Sequence, residues 1–375
     1  MKILMLSEDK TICIAGSSAE RRMGLYARLF DELHIVVLAG GDGANAKIGN
    51  LFIYATGGDN GVSRRWHMYR VASRIASHVR PDVVSAQGPD EIGLIAYWIS
   101  RRHRNRTKLQ LQLHTDIMSP WYRRAGWKER VRYLLPRLLL PRADGVRVVS
   151  EQVKHSLVDR LGISAKKICV LPIYADLEQF KNGVALPEDN ARLQEYSFKM
   201  IAVGRFVERE KNFSMLIAMM RELVKRHPRA VLVLVGEGPD KNLYEAQIKR
   251  YGLEKSVILE RWRDDLPSFY RCFDLLLVSS NYEGWGRVAI EAMAGGLPVV
   301  MTDVGLAGEV VRDGVNGRVV PVGDRNAFLE ACLELIEHPE DLRAYASRAR
   351  QTIIEIRPRD ETEYSEEYKR CFEML

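Results

Sequence analysis

At 375 residues the chain exceeds what one hydrophobic core usually organises, so two domains are expected, each large enough to bury its own core. Its 46% hydrophobic and 28% charged residues are those of a globular protein. No apolar run nears the roughly 18 residues of a membrane span, which excludes an integral membrane protein. The net charge of +7 hides an asymmetry: residues 1–172 hold 28 Lys+Arg against 15 Asp+Glu, whereas residues 173–375 hold 28 against 34.

The N-terminus, "MKILMLSEDK", has an apolar run too short for a signal peptide and reads as a first strand, so the protein is expected to stay in the cytoplasm. A glycine-containing loop and a first helix follow, then the strand-like runs "HIVVLAG", "LFIYAT", "DVVSAQ", "KLQLQLH", "GVRVVS" and "ICVLP". Amphipathic stretches such as 65–79 lie between them. Residues 101–150 carry 13 Lys+Arg and 3 Asp+Glu, a density that would draw nucleic acid or an anionic membrane surface. After "VLPIYADLEQF" the polar segment 181–196 breaks the pattern, and the domains are set at 1–178 and 179–357. The second half repeats the alternation with "FKMIAVG", "AVLVLVG", "SVILE", "DLLLVSS", "PVVMTD" and "GRVVPV", and with a helix near 212–226. Strands apolar on both faces and separated by helices predict parallel sheets, so each half reads as a doubly wound α/β domain. Cys13, Cys169, Cys272, Cys332 and Cys371 are scattered and never form a C-x-x-C pair, which predicts reduced thiols and neither a zinc site nor a disulfide framework.

Ligands of such domains sit beyond the carboxyl ends of the strands. After "MIAVG" come Arg205 and, six residues on, Lys211, beside a helix start, where two cations could grip a diphosphate. Gly204 gives room for close backbone approach. After "DLLLVSS" comes "NYEGWGRVAIEAMAGGLPVV". Gly284 and Gly286 let the chain turn, and a helix from about Arg287 offers free N–H groups and a positive dipole end to an anion. Glu283 precedes that helix and Glu291 lies inside it, about 6 Å further along the axis. That separation, widened by the turn, does not suit the roughly 5 Å pair of a retaining glycosidase. It suits an elongated ligand with hydroxyls at both ends of a diphosphate, such as a nucleotide-sugar. Taken singly, each of these charges reads equally as a solvated surface group.

Together the residues carry a resemblance. The run E-G-x-G-x-x-x-x-E-A-M-A-x-G-x-P-V-V at 283–300, with G-R-x-x-x-x-x-K at 204–211 and "LVGEGP" at 234–239, resembles the retaining glycosyltransferases of family 4. The resemblance covers most of the chain. It implies the GT-B fold, in which two Rossmann-like domains face a central cleft and a C-terminal helix, here 358–375, crosses back to the first domain. It further implies that Glu283 binds the donor sugar, Glu291 the ribose, and Arg205 with Lys211 the diphosphate. The amides of Gly284, Trp285, Gly286, Arg287 and Val288 would complete the phosphate seat, and Arg261, Trp262 and Arg263 would border the nucleobase. In the first domain "LQLHTD" matches the family's strand-end histidine, making His114 the side chain beside the transferred sugar. The family's glycine pair after the first strand is replaced by a longer loop in which Gly16 fits, followed by Ser17 and Ser18, with Arg21 or Arg22 in reach of phosphate or acceptor. Asp176 stands where the family has N-G-V-D.

The implied reaction moves a sugar, with retention, from a nucleoside diphosphate (UDP on family frequency, GDP-mannose as the alternative) to an acceptor hydroxyl. His114, Glu283, Arg205 and Lys211 would serve the chemistry, without a metal or other cofactor, since no D-x-D or clustered His/Cys occurs. The basic first domain, with Trp121, Tyr122 and Trp127 among arginines and a second basic element at 64–80, suits peripheral attachment to the inner membrane face. It also suits a lipid-linked saccharide acceptor in cell-envelope glycan assembly. A solvated basic face accounts for the same residues. Three rivals are weaker. "GDGANA" at 41–46 fits a dinucleotide fingerprint but runs into a strand instead of a helix. A nucleotide-sugar 2-epimerase lacks this E-x7-E arrangement, and no nucleic-acid-reading motif accompanies the basic half, so nucleic acid is not an expected partner. The oligomeric state is left open.

Overall fold

In the computed structural model the described residues are 1–39, 45–58, 60–103, 106–124, 133–356 and 360–375. Most of "GDGANA", Trp127 with its basic neighbours, and residues 358 and 359 of the expected C-terminal helix lie outside them. The chain forms two compact units: unit 1 is Met1–Pro172 with Asp360–Leu375, and unit 2 is Ile173–Arg359. The boundary expected at 178 therefore moves to 172. Its physical reason is Arg147, which donates to the Leu171 and Pro172 carbonyls at 3.2 and 3.3 Å and ties that segment into unit 1.

Unit 1 is built on strands β1 (Lys2–Ser7), β2 (Glu32–Val37), β3 (Ala46–Ile48), β4 (Leu51–Ala55), β5 (Val83–Ala86), β6 (Lys108–Leu113), β7 (Gly145–Val148) and β8 (Ile168–Val170), in the order β3-β4-β2-β1-β5-β6-β7-β8. All pair in parallel except β3, an antiparallel edge strand that is too short to show a period. The helices that matter here are α1 (Ser18–Ala27), α2 (Gly61–Val79) and α3 (Glu91–Arg102). On one face Met68, Ala72 and Ile75 of α2 and Ile92, Ile95 and Ile99 of α3 pack on Leu4, Val84, Leu109 and Leu111.

Unit 2 holds β9 (Phe198–Val203), β10 (Ala230–Val235), β11 (Val257–Glu260), β12 (Leu275–Val278), β13 (Val299–Thr302) and β14 (Gly317–Val320), all parallel, in the order β11-β10-β9-β12-β13-β14. Every residue of β10 is buried, as a strand covered on both faces requires. Two helices position the site: α4 (Phe213–Arg226) and α5 (Arg287–Ala294). The sheet reverses its winding direction between β9 and β12, the position where open α/β sheets leave a crevice at the strand ends.

The last helix, α6 (Glu361–Glu373), belongs to unit 1. Asp360 caps it by accepting from the Glu363 N–H. Tyr364, Tyr368, Cys371 and Phe372 recur at helical spacing and form its buried face. Tyr368 stacks on Tyr26 of α1 with ring centroids 4.1 Å apart, and Phe372 meets Phe30 edge-on at 5.1 Å. Beneath α6 the sheet is polar. Ser85 donates to Gln110 at 3.0 Å, Gln112 donates to Ser85 at 2.9 Å, and Arg147 donates to Gln112 at 2.9 Å and to the Tyr364 hydroxyl at 2.9 Å.

This docking overturns the expectation of five reduced thiols. Cys371 of α6 lies against Cys169 of β8 with Cα atoms 5.5 Å apart, and the two form a disulfide. A separation of 202 residues hides such a pair from any reading of spacing. Cys13, Cys272 and Cys332 remain free.

Candidate functional site

The ends of β9 and β12 carry the sequence-predicted groups of unit 2. Gly204 ends β9, and a Cβ there would stand 3.1 Å from the Lys211 Cε, so the absent side chain is what lets Lys211 lie across the strand end. The backbone of Gly236 approaches the Gly204 carbonyl more closely than any side chain would permit. Lys211 closes a one-turn helix, Glu208–Lys211, whose chain reverses through Asn212 at φ +50° into α4.

Lys211 Nζ is ion-paired with Glu283 Oε1, and the Ser280 hydroxyl donates to the same oxygen at 2.8 Å. Both partners are largely enclosed, with side chains 17% and 15% exposed. Ser279 holds the Lys211 carbonyl at 2.7 Å, and Thr302 of β13 holds the Ser280 carbonyl at 2.6 Å. Three strand ends thereby fix one lysine and one carboxylate. Sequence reasoning named the charges and missed these hydroxyls, whose signal was the "SS" closing "DLLLVSS".

Arg205 is mostly exposed and pairs with Glu210 at 2.7 Å, a partner the sequence reading did not assign. On the other side of the loop Gly286 takes φ +96°, and no side chain caps α5. The loop is braced from below: Leu306 donates to the Trp285 carbonyl at 3.0 Å, and Gly305 leaves no space for a Cβ against that carbonyl. One turn inside α5, Glu291 is buried and accepts from Arg287 Nε and Nη2 through Oε1 at 3.1 and 2.7 Å. Behind it the buried Tyr270 hydroxyl is pushed well above its ordinary pKa by desolvation and by the Glu291 charge. Both glutamates thus use Oε1 internally, and among the described residues neither Oε2 accepts a hydrogen bond.

Two family models match this chain: "Glycosyl transferases group 1" over residues 188–352, which contains the arrangement just described, and "Glycosyltransferase Family 4" over residues 25–179. The chain belongs to glycosyltransferase family 4. Among the relatives of this family 4 chain, the lipopolysaccharide core biosynthesis glycosyltransferase LpsE of Rhizobium meliloti (strain 1021) is 32% identical over 155 residues, covering 41% of this chain and 44% of that protein. The chain spans about half the length of the first curated relatives it matches. An N-acetylgalactosamine-N,N'-diacetylbacillosaminyl-diphospho-undecaprenol 4-alpha-N-acetylgalactosaminyltransferase of Campylobacter jejuni is 29% identical over 263 residues, 70% of this chain and 68% of that one. Anabaena HepE, solved with UDP, superposes with a TM-score of 0.76 at 21% identity over 100% of each chain, which shows that the fold is GT-B.

In unit 1 of the family 4 chain, His114 follows the end of β6. Desolvation, then the charges of Arg147 and Arg22, push its pKa down to about 3, so the imidazole stays neutral at physiological pH. Gly16 takes φ +74° just before α1, and its N–H donates to Glu20 at 2.6 Å while the Ser17 hydroxyl accepts from the Glu20 N–H at 3.0 Å. The chain supplies its own carboxylate where the family's glycine pair meets phosphate. Arg22 lies 3.9 Å from Asp9. Asp176 accepts from the Glu178 N–H at 3.1 Å, two residues before a four-residue helix begins.

At the segment expected to border the nucleobase, Arg263 has partners within the protein. Arg263 donates to both oxygens of the buried Asp189 at 3.0 and 2.7 Å and to Asp265 at 2.8 and 2.6 Å, and it lies over the Phe269 ring at 4.0 Å. It cross-links the segment before β9 to the segment after β11. Its neighbours Arg261 and Trp262 are exposed.

Proposed function

We propose that this glycosyltransferase takes a UDP-sugar as donor and transfers the sugar, with retention, to a hydroxyl of a lipid-linked saccharide in cell-envelope glycan assembly. The observation that carries the reading is the set of charges at the β9/β12 switch point: Lys211, Glu283 and Ser280 locked together, with Arg205 and an uncapped helix start beside them. Leaving-group departure builds charge on the diphosphate. Lys211, Arg205 and the amides of Gly284 to Val288 would stabilise it, already fixed in place before the reaction begins. The open Oε2 atoms of Glu283 and Glu291 would accept from sugar and ribose hydroxyls.

A neutral His114 is able to accept a hydrogen bond from the sugar or donate one to it, without repelling a cationic transition state. No side chain need act as a strong base when the leaving phosphate oxygen takes the acceptor proton, and no metal is needed for that route. UDP bound to HepE supports the choice of base, and the Campylobacter relative's undecaprenol-linked acceptor supports the choice of acceptor class.

Attachment to an anionic membrane surface is supported by exposed apolar side chains among the arginines of unit 1. Val62 and Trp66 are 81% and 59% exposed on α2, and Leu134 and Leu138 are 62% and 48% exposed beside Arg137 and Arg142. No described helix is long and apolar enough to cross a membrane. Thermal stabilisation by UDP, GDP, ADP and their sugars, repeated with Glu291→Ala, tests the donor: a UDP-selective rise that the variant loses is expected. Selectivity for GDP would move the donor to GDP-mannose, and no rise with any nucleotide would sink the reading. For attachment, the protein should sediment with anionic liposomes at modest salt, and retention in the supernatant would count against it.

A further inference from the structure

At the end of the unit 1 sheet opposite His114, a hollow of about 530 Å³ is lined by Ser77, Arg80, Arg101, Arg102, His103, Arg106 and Thr107. It lies where α2 and α3 end and β6 begins, and β6 runs about 20 Å from there to His114. Four exposed arginines line it; Arg101 lies over the Tyr97 ring at 5.2 Å, and among the described residues none of the four is ion-paired with a carboxylate. The acids at the same edge are already engaged: Asp82 accepts from the Lys2 N–H at 2.7 Å, and Asp144 accepts from the Leu109 N–H at 2.8 Å.

Helix dipoles favour a cation in each last turn, which accounts for Arg101 and Arg102 singly. They do not account for four arginines around one hollow, where like charges repel. Two further observations need a ligand-based reason. Arg80 adopts φ +54°, a left-handed conformation that disfavours any side chain but is required at this helix end, where glycine or asparagine usually stands. The rim of the hollow thus carries an arginine at a strained backbone position. The His103 Nε2 is buried and has no hydrogen-bond partner among the described residues.

We propose that this hollow binds a multiply charged phosphate group, separately from the nucleotide-sugar site. Guanidinium forks match phosphate oxygens in pairs, and the volume admits more than one phosphate. The same chemistry is presented by a free oligophosphate and by an anionic lipid head group, and one set of measurements separates them.

The full chain carrying Lys211→Ala, which is expected to weaken diphosphate capture in unit 2, is titrated with tripolyphosphate and sedimented with vesicles of equal parts phosphatidic acid and phosphatidylcholine. Both are repeated with Arg101→Gln and Arg102→Gln added, and with Arg28→Gln and Arg160→Gln added as a control of equal charge. Tripolyphosphate binding that falls about tenfold or more with the first pair and little with the control supports a soluble phosphate ligand, on the scale of one charge-assisted hydrogen bond. Vesicle binding lost only with the first pair, with no tripolyphosphate binding, supports a head group. Equal losses in both pairs, or no binding by any form, would overturn the proposal. The donor reading stands or falls separately, on the nucleotide shifts.

Discussion

The two units use the same α/β architecture and spend their polar residues in opposite ways. In unit 2 the middle of the sheet is apolar, as in the wholly buried β10, and charges stand beyond the strand ends in pairs: Lys211 with Glu283, Arg205 with Glu210, Arg287 with Glu291. In unit 1 the polar groups lie inside the sheet. Ser85, Gln110, Gln112 and Arg147 form a ladder across β5, β6 and β7 under α6, fastened to the chain end by Gln110 donating to the Cys371 carbonyl at 2.8 Å. Buried polar groups are costly to leave unpaired, so the ladder favours the register of α6 that satisfies it. Unit 2 gathers charge at its strand ends, and unit 1 uses buried polar groups to hold α6.

The largest stability effect separating the two units is expected from Arg263→Ala. Removing the guanidinium strands the buried Asp189 carboxylate and should destabilise unit 2 by about 3 kcal/mol. Hydrogen exchange should rise in unit 2 peptides and not in those of unit 1, while nucleotide affinity of the folded protein stays unchanged. A weakened affinity would return Arg263 to the base-binding set. Arg147→Met is the counterpart in unit 1. It leaves Gln112 Oε1 and the Tyr364 hydroxyl without their donor but also relieves the desolvation of a buried charge, and about 2 kcal/mol is expected. Exchange should then rise in α6 and β7 and leave unit 2 protected. Equal loosening of both units would break the contrast.

The smallest effect concerns pH. His114 titrates at about 3 when folded, against an ordinary value of 6.5. As pH falls, the unfolded chain takes up this proton first, so the neutral imidazole's contribution is complete above about pH 6.5 and declines toward about pH 3. His114→Gln should make the melting temperature fall less steeply between pH 6.5 and 5. An unchanged slope would mean that the imidazole is charged in the folded protein.

What was legible in the sequence follows the distance between partners along the chain. All thirteen expected strands exist, because a strand covered on both faces announces itself as a contiguous apolar run. The unit 2 charges were legible for a similar reason: Arg205 and Lys211 flank one turn, and Glu283 and Glu291 flank another. The misses are long-range pairings. Asp189 and Arg263 are 74 residues apart, Arg147 and Tyr364 are 217 apart, and Cys169 and Cys371 are 202 apart. None has a local signature, since the fold alone brings each pair together. Gly16 was legible as a turn glycine, but the carboxylate that occupies its N–H comes from Glu20, which no expectation had engaged.

The docking of α6 also orders events in time. Unit 2 is an insertion in unit 1: a ribosome delivers residues 1–172, then all of unit 2, and only then the helix that covers Ser85, Gln110 and Gln112 and supplies Cys371. At about 5–20 residues per second that interval is roughly 10–40 s. For that time the nascent first unit lacks its lid while the second, encoded later, already has every residue it needs. Any chain that stops before residue 360 holds a second unit with all its residues attached to a first unit whose polar ladder is uncovered.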